Sequence, residues 1–552
     1  MNAVAMPALA YRHSPDQDAA APVRHAVVVV GAGPVGLRVA IDLAQQGVKV
    51  LLLDEDDTLS AGSRAICFAK RTLEIFDRLG CGDAMVAKGV GWNVGKVFHR
   101  DSLLYAFDLL AEPGHERPAF INLQQYYAEA FLIERARALS NVELRAKNRV
   151  IDVAASADGA VLKVETPDGA YRLHADWLIA CDGSRSRVRA AMGLEAHGKI
   201  FRDRFLIADV KMQAPFPAER WFWFDPPFHP GQSVLLHRQP DDVWRIDFQL
   251  GWDADPAQER APERVIPRIQ ALLGPDVAFT LEWVSVYTFA CERMDRFRHG
   301  RVIFAGDAAH RVSPFGARGA NSGVQDAENL AWKLALVLRG QAPDALLDSY
   351  GIEREAAADE NILNSTRSTD FITPKNAASR VFRDATLALA QDCPFARRLV
   401  NSGRLSVPAT YGDTPLNTRD AEAFAGAMAP GAPAADAPVQ LGGRPGWLLR
   451  ALGGGFQLLH YAEGADDATL AALRSLAGDA VPVGPLLVLP AGARPTVALP
   501  CVVDSEGLFA TRYDARPGTT YLIRPDQHIA ARMRRFDAAA LRAARARACG
   551  LA

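Results

Sequence analysis

The stretch from Ala26 to Asp54 limits what this chain can fold into more than any other. The apolar run A-V-V-V-V leads straight into G-A-G-P-V-G, with glycines at 31, 33 and 36. An amphipathic stretch to Gln46 follows, and a second apolar run from Val48 ends at Asp54. Read in order, this is a strand, a tight turn, a helix and a parallel strand. Gly31 permits the turn, Gly33 lets the backbone approach a pyrophosphate, and Gly36 allows close packing of helix on strand. Pro34 and Val35, between the last two glycines, belong to the same phosphate-binding turn. The helix start offers free N–H groups and a positive dipole end to phosphates. Asp54 lies at the separation expected of a carboxylate that accepts hydrogen bonds from a ribose. A dinucleotide site on an α/β domain is the expectation.

Arg301 to Leu334 extends that reading. An apolar strand runs into a Gly306-Asp307 turn, a Pro314-Phe315-Gly316 loop and a small-residue helix start at Gly319, Ala320 and Asn321. Such a segment can meet an extended, partly anionic cofactor at several points, which points to a flavin. Backbone N–H groups exposed between Gly319 and Gly323 can stabilise negative charge on the N1 and C2-oxygen side of a reduced flavin.

At 552 residues the chain is too long for a single core. Its 62 basic residues against 64 acidic ones give no field that would draw nucleic acid or an acidic membrane surface. The seven cysteines are odd in number, scattered and never spaced C-x-x-C, which argues against a disulfide framework, a zinc site or a redox dithiol. Residues 1–24 carry Pro7, Pro15 and Pro22 but neither a basic start nor an apolar core, and so read as a flexible leader rather than a signal peptide. No run reaches transmembrane length, and a cytoplasmic enzyme is expected.

From His25 to about 195 strands alternate with helices, as a parallel sheet requires. Between 196 and 290 the texture changes to alternating segments such as F-L-I-A-D-V-K-M and V-W-R-I-D-F-Q-L, an antiparallel sheet inserted in the first domain. The predicted division is an FAD-type domain over 25–195 and 291–400, the inserted substrate sheet over 196–290, a linker over 401–439 and a small α/β domain over 440–552. The linker expectation rests on the Ala, Pro and Gly content of Ala423 to Val439.

Three ordered elements, G-A-G-P-V-G, C-D-G-S-R-S-R-V-R and R-V-I-F-A-G-D-A-A-H-R-V-S-P-F-G-A-R-G-A-N-S-G, together resemble the single-component FAD-dependent aromatic hydroxylases, in particular their phenol-hydroxylase-like branch. The tail R-P-D-Q-H-I-A-A-R, from Arg524 to Arg532, looks like the end of that branch's thioredoxin-like domain, so the resemblance spans nearly the whole chain. It implies a Rossmann-like FAD domain of the GR2 type, an inserted antiparallel substrate sheet and a thioredoxin-like tail without a redox cysteine pair, structural or part of a homodimer interface. It implies non-covalent FAD, NADH or NADPH as co-substrate, and O2 with a small aromatic substrate. In the implied mechanism reduced FAD forms a C4a-hydroperoxide whose terminal oxygen attacks a phenol-like ring. Carried over by position, Gly31, Gly33 and Gly36 cradle the pyrophosphate and Asp54 the ribose. Arg64 stands near ribose and phosphates, Gln125 contacts the flavin, and Asp182-Gly183 lies where FAD and nicotinamide approach each other. Asp307 meets the ribitol, and Pro314 lies beside the reactive face.

The substrate pocket is less legible. Phenol hydroxylases place an Asp five residues before the Arg of R-T-x-E, and in Arg71-Thr72-Leu73-Glu74 that offset falls on Ile66. His229, His237 and Tyr287, in the inserted sheet, are the candidates for deprotonating a phenol; for each histidine a satisfied or solvated strand position is the simpler reading. Arg245 and Asp247, two apart on a strand, share a face. Arg245 either binds a substrate carboxylate or, more simply, pairs with Asp247. Trp223, with Trp221, Phe224 and Phe228, lines an aromatic pocket or fills sheet core. W-F-W-F-D-P resembles the W-x-W-x-I-P element of flavin-dependent halogenases, with Asp225 in place of Ile. Alternative functions are a tailoring oxygenase of polycyclic polyketides, by hydroxylation or Baeyer-Villiger insertion, and a flavin-binding protein without catalysis. No metal ligand set is predicted.

Overall fold

The computed structural model describes residues 6–62, 65–400, 405–463, 466–494 and 499–551. Val23–Val30 forms the centre of the first sheet, parallel to Gly169–Ala180 on one side and Val50–Leu53 on the other. Val142–Arg145 and Val302–Phe304 extend the parallel order outward, and the Arg149–Ser156 and Gly159–Thr166 hairpin pairs antiparallel against Gly169–Ala180. Val27, Val28 and Val29 have no exposed surface, because helices cover both faces of a parallel sheet and β-branched side chains fill it well. The helix Pro34–Gln45 starts with proline at its first position, where the missing N–H costs nothing.

The second sheet has eight strands in the order His310–Arg311, Phe279–Met294, Ala196–Met212, Val243–Leu250, Ser233–Arg238, Arg220–Phe224, Val94–His99 and Ser102–Asp108. This platform is antiparallel except where Arg220–Phe224 pairs parallel to Val94–His99. It is therefore not built from 196–290 alone, as expected. The hairpin of residues 94–108 closes one edge, and Phe279–Met294 runs past 290 to reach His310–Arg311.

Period-two alternation gives the platform two different faces. Leu206, Ala208, Trp223, Leu236, Ile246 and Phe248 point to one side and pack on Val265 and Ile269 of the helix Pro262–Leu273. Phe205, Phe222, Phe224 and Leu235 point to the other and pack with Phe289, Phe315, Ile372 and Leu387. The near face thus looks toward the first domain.

The third sheet has seven strands, with Val483–Leu489 and Phe456–Tyr461 parallel at its centre and the helices Asp467–Leu476 and Ala538–Ala548 against it. Two segments expected to be loose are packed. Within residues 6–24, the Tyr11 hydroxyl donates to Asp168 at 2.6 Å, while Asp16 meets His25 and Arg145 at 2.8 Å each. Within the predicted linker, Tyr411 receives an Arg354 N–H at 2.8 Å and Thr414 donates to Glu353 at 2.7 Å. Gly and Pro content signalled irregular backbone in both, but burial of a few polar anchors orders it. Among the described residues no helix is long and apolar enough to cross a membrane.

Candidate functional site

The glycine turn has two filled positions and one open one. A Cβ on Gly31, at φ +100°, would stand 2.4 Å from the Cys181 carbonyl, and one on Gly36 would stand 1.8 Å from the Gly31 carbonyl. Those two glycines are required by the protein's own packing. At Gly33 nothing lies within 4 Å, so this backbone faces space that the fold leaves clear above the start of Pro34–Gln45. Asp54 closes the second strand, its carboxylate accepting the Ala32 N–H at 2.5 Å and the Asp56 N–H at 2.8 Å. Burial raises its pKa against those hydrogen bonds.

Asp182 follows the central strand Gly169–Ala180 at the same end. Its Oδ2 accepts the Val188 N–H at 3.0 Å, but its buried Oδ1 has no partner. Burial raises its pKa too. Gly183 takes φ +76° with open space around it. Gln125 begins the helix Gln125–Arg137 and bonds Ser60 Oγ at 3.0 Å, Glu129 at 2.8 Å and the Ala65 N–H at 3.1 Å, so its side chain braces the loop before residue 65. Arg64 lies outside the described residues.

Three segments meet at Gly306. It sits at φ +63° and donates its N–H to Asp326 at 3.0 Å. A Cβ on Gly323 would stand 2.7 Å from Val35 and 3.2 Å from the Gly306 Cα, so the helix Gly319–Leu338 approaches both turns at contact distance. Burial alone would raise the Asp326 pKa, but His310 and Arg354 hold it at about 2. Asp307 is exposed on the 3-10 turn Gly306–Ala308. Pro314 is exposed at the head of the turn Pro314–Gly316, while Phe315 is buried against Phe205 and Phe289. The Gly319–Leu338 helix has no side-chain cap, so the N–H dipoles at Gly319, Ala320 and Asn321 present a positive end beside that loop. Asn321 differs from expectation in its side chain. Oδ1 accepts from the Ala69 N–H and the Thr72 hydroxyl, and Nδ2 donates to the Cys67 and Ala317 carbonyls, leaving only its backbone toward a ligand.

Across from this corner, the near face of the platform carries a row of polar residues in direct cross-strand register. Arg220 pairs with His237, His237 with Arg245, and Arg245 with Asp209. Arg245 binds Asp209 through two nitrogens at 3.0 and 3.3 Å, with Gln239 adding a third bond at 3.1 Å. The expected pair of Arg245 with Asp247 is thus replaced by one across strands, because residues in register lie closer than residues two apart on a strand. Arg220 is 4% exposed and makes one long contact, 3.5 Å to the Phe315 carbonyl. His237 is buried with Nδ1 unpartnered, and burial together with Arg220 and Arg245 drives its pKa well down. Asp247 lies one row further, in register with Leu235 and Ile207. Its buried Oδ1 has no partner, and burial pushes its pKa up to about 6 against the pull of Arg245 and Arg220.

Two sequence candidates leave this site. Trp223 points to the far face and packs on Phe98 and Phe228, and the His229 Nε2 lies 2.7 Å from the Gln249 carbonyl with its ring on Phe248, also on the far side. Trp221 shares that face, and Asp225 sits in a turn at φ +50° accepting the Gly231 N–H, so the two tryptophans of the halogenase-like element face away from this site. Tyr287 stays on the near face, stacked on Phe289 and 44% exposed. Arg220 was missed by sequence reasoning. The signal was present: in R-W-F-W-F the arginine alternates with Phe222 and Phe224 into the buried face. A small cavity beside Arg220 is lined by Val97, Tyr105, Phe107, Phe222 and Phe224.

A family model described as FAD binding domain matches residues 24–365. The 3-(3-hydroxy-phenyl)propionate/3-hydroxycinnamic acid hydroxylase of Mycolicibacterium smegmatis is 31% identical over 382 residues, which are 68% of this chain and 66% of that protein. That match spans just under two thirds of the relative's length. The 6-methylpretetramide 4-monooxygenase of Streptomyces rimosus is 32% identical over 533 residues, 94% of this chain and 92% of that protein. Among solved structures, the flavin-dependent monooxygenase PieE in complex with FAD and substrate superposes with a TM-score of 0.81, covering 96% of this chain and 100% of that one at 23% identity. At that identity the likeness is one of fold.

Proposed function

The chain belongs to the FAD-binding-domain family, and from that membership we propose that it is an FAD-dependent monooxygenase that uses NAD(P)H and O2 to hydroxylate a phenolic or related aromatic compound. The carrying observation is the facing of two halves. On one side stand an uncapped helix start and an exposed Pro314, and on the other an aromatic and polar sheet face. The residues present fit FAD. The clear space at Gly33 suits a pyrophosphate, the unpartnered Oδ1 of Asp182 can accept from a hydroxyl, and the helix start suits the electron-rich edge of the ring. In this reading Gly31 to Gly36 hold the pyrophosphate, Asp54 the adenosine ribose, and Asp307 the ribitol. Asp182 and Gly183 stand where nicotinamide approaches, and Pro314 borders the reacting ring.

When bound, FAD supplies the redox chemistry: reduction by NAD(P)H and activation of O2. Overall, ArH, O2, NAD(P)H and a proton give ArOH, water and NAD(P)+. The chain's own residues supply placement and dryness. Phe205, Phe289 and Phe315 pack edge to face beside the loop and keep water from that end of the pocket. The helix dipole stabilises negative charge without reorganising. A panel of phenols and aromatic acids, scored for stimulated NAD(P)H consumption and for product mass, tests this reading. The expected result is a gain of one oxygen on a ring. A yellow holoenzyme whose NAD(P)H oxidation no aromatic compound stimulates would sink it.

A second reading, tailoring of a polycyclic polyketide, is favoured by the match over nearly the full length of the Streptomyces rimosus enzyme. Polycyclic phenols in the same panel separate the two. The tail over 440–552 is read as a thioredoxin-like domain without a redox pair, serving structure or a homodimer interface, and the protein as cytoplasmic. Seven free cysteines accord with both.

A further inference from the structure

The near face of the platform contains a charge imbalance that packing does not resolve. Arg245 is committed to Asp209, and His237, flanked in its row by two guanidinium groups, is held neutral. That leaves Arg220, buried, charged and without a carboxylate partner, and Asp247, whose buried Oδ1 meets no donor. A buried carboxylate oxygen without a donor is costly and rarely retained unless something completes it. Cys67, on the short strand Cys67–Ala69 outside the platform, lies near the same array, and its carbonyl is bound at 2.9 Å to Asn321, in the first turn of the helix beside Pro314. Arg220 and Asp247 thus lie on the platform face that packs against Phe315, next to Pro314.

We propose that Asp247 takes the proton from a ring hydroxyl of the substrate and that Arg220 holds the oxyanion so formed. The inference rests on the oxygenase reading above. In the step, the O–H bond breaks, the proton moves to Asp247 Oδ1, and the electron pair stays on the ring oxygen; nothing is oxidised or reduced. The proton returns when the product's ring oxygen is reprotonated. Ring oxygen as anion pushes electron density onto the ring, which an electrophilic oxygen transfer requires. Five N–H donors in a rigid fork suit Arg220 to that oxygen. The groups facing Asp247 are Arg245 on its own strand, His237 and Asp209 on the two neighbouring strands, Arg220 one strand beyond His237, and Cys67 from outside the platform. The only anion among them, Asp209, is neutralised by Arg245, so the local field favours the phenolate. The substrate class narrows accordingly: a phenol is accepted, and its methyl ether, which cannot donate to Oδ1, is not.

The test uses the FAD-loaded full chain titrated between pH 5 and 9 with 4-nitrophenol and with 3-(3-hydroxyphenyl)propionate, reading the absorbance of the ionised phenol. The wild type is expected to bind at least one of the two in ionised form below that phenol's own pKa. R220M weakens binding about 30-fold, as loss of one partner of a buried charge pair does. D247N abolishes the transition near pH 6, and D247E restores one. FAD content confirms that each variant is folded, and the wild-type spectrum decides the matter should a variant fail to fold. A bound phenol that stays protonated, binding of neither phenol, or an unchanged transition in D247N overturns the proposal. Ionised binding without any stimulated NAD(P)H oxidation sinks the oxygenase reading alone, whereas stimulated oxidation with a protonated bound phenol sinks the array alone.

Discussion

Two buried charge clusters in this molecule make opposite use of the same residue types. Where the tail meets the first domain, both oxygens of Glu353 are engaged: by Arg524 at 2.6 and 2.9 Å, Lys333 at 2.7 Å, Asn329 at 2.6 Å and Thr414 at 2.7 Å. Asp526 accepts from Arg524 and from the Trp332 indole at 3.1 Å. On the platform, Arg220 is buried, and Asp247 is half-buried with its Oδ1 enclosed, yet neither has such partners. Both clusters incur desolvation, but only the first recovers it within the protein. The saturated cluster fixes how two bodies of structure sit together; the unsaturated one leaves its valences to a ligand.

The largest effect should come from breaking the saturated cluster. Arg524→Ala strands Glu353 and Asp526 without their shared cation and should cost about 3–5 kcal/mol, the range for removing one partner of a buried ion pair. Denaturant titration of the holoenzyme measures it, and limited proteolysis should show the tail cut first. A loss below about 1 kcal/mol, typical of a surface pair, would mean that the network is dispensable.

Much of this was legible in the sequence, for identifiable reasons. Gly31 and Gly36 were legible because backbone contacts at 2.4 and 1.8 Å permit no side chain there. The platform strands were legible because alternation is a local property. Residues 94–108 were not seen as part of the platform, since strand pairing across more than a hundred residues leaves no local mark. The packed state of residues 6–24 and of the predicted linker was hidden for the same reason: their anchors, Asp168 and Glu353, are distant in the chain. The partner of Arg245 is illegible from spacing along its own strand, because Asp209 stands on the neighbouring one.

A middle-sized effect separates the clusters by pH. The Asp247 pKa rises from near 4 in an unfolded chain to about 6 in the folded one. Below about pH 4 both states are protonated and the site costs nothing. Between about 4 and 6 the unfolded chain releases its proton first, so wild-type stability falls as pH rises, by at most about 3 kcal/mol in all. D247N lacks that loss, so its advantage over wild type should grow from pH 4 to 7 when both are unfolded by denaturant without a phenol present. Glu353 should show the reverse sign. Burial opposes its ionisation, but Arg524 and Lys333 overcome this and lower its pKa, so its contribution is present at neutral pH and is lost as pH falls through the acid range. A D247N advantage that shrinks with rising pH would show that Asp247 is paired after all.

The smallest effects are expected on the platform's far face, and they test whether alternation alone divides function from packing. His229 and Trp223 are of the types that aromatic sites use, yet Trp223 stands out of phase with the polar row on its strand, His229 sits in the turn that follows it, and both pack on the far face. His229→Asn removes one hydrogen bond to the Gln249 carbonyl, about 1 kcal/mol of stability. Trp223→Phe keeps an aromatic ring against Phe98 and Phe228 and should cost a similar amount through lost packing. Neither change reaches the near face, so kcat/KM for a phenol should stay within about twofold, a ΔΔG‡ under 0.5 kcal/mol, and the pH profile should not move. Were His229→Asn to abolish the transition near pH 6, the proton acceptor would lie behind the sheet, and the unmet valence of Asp247 would need another explanation.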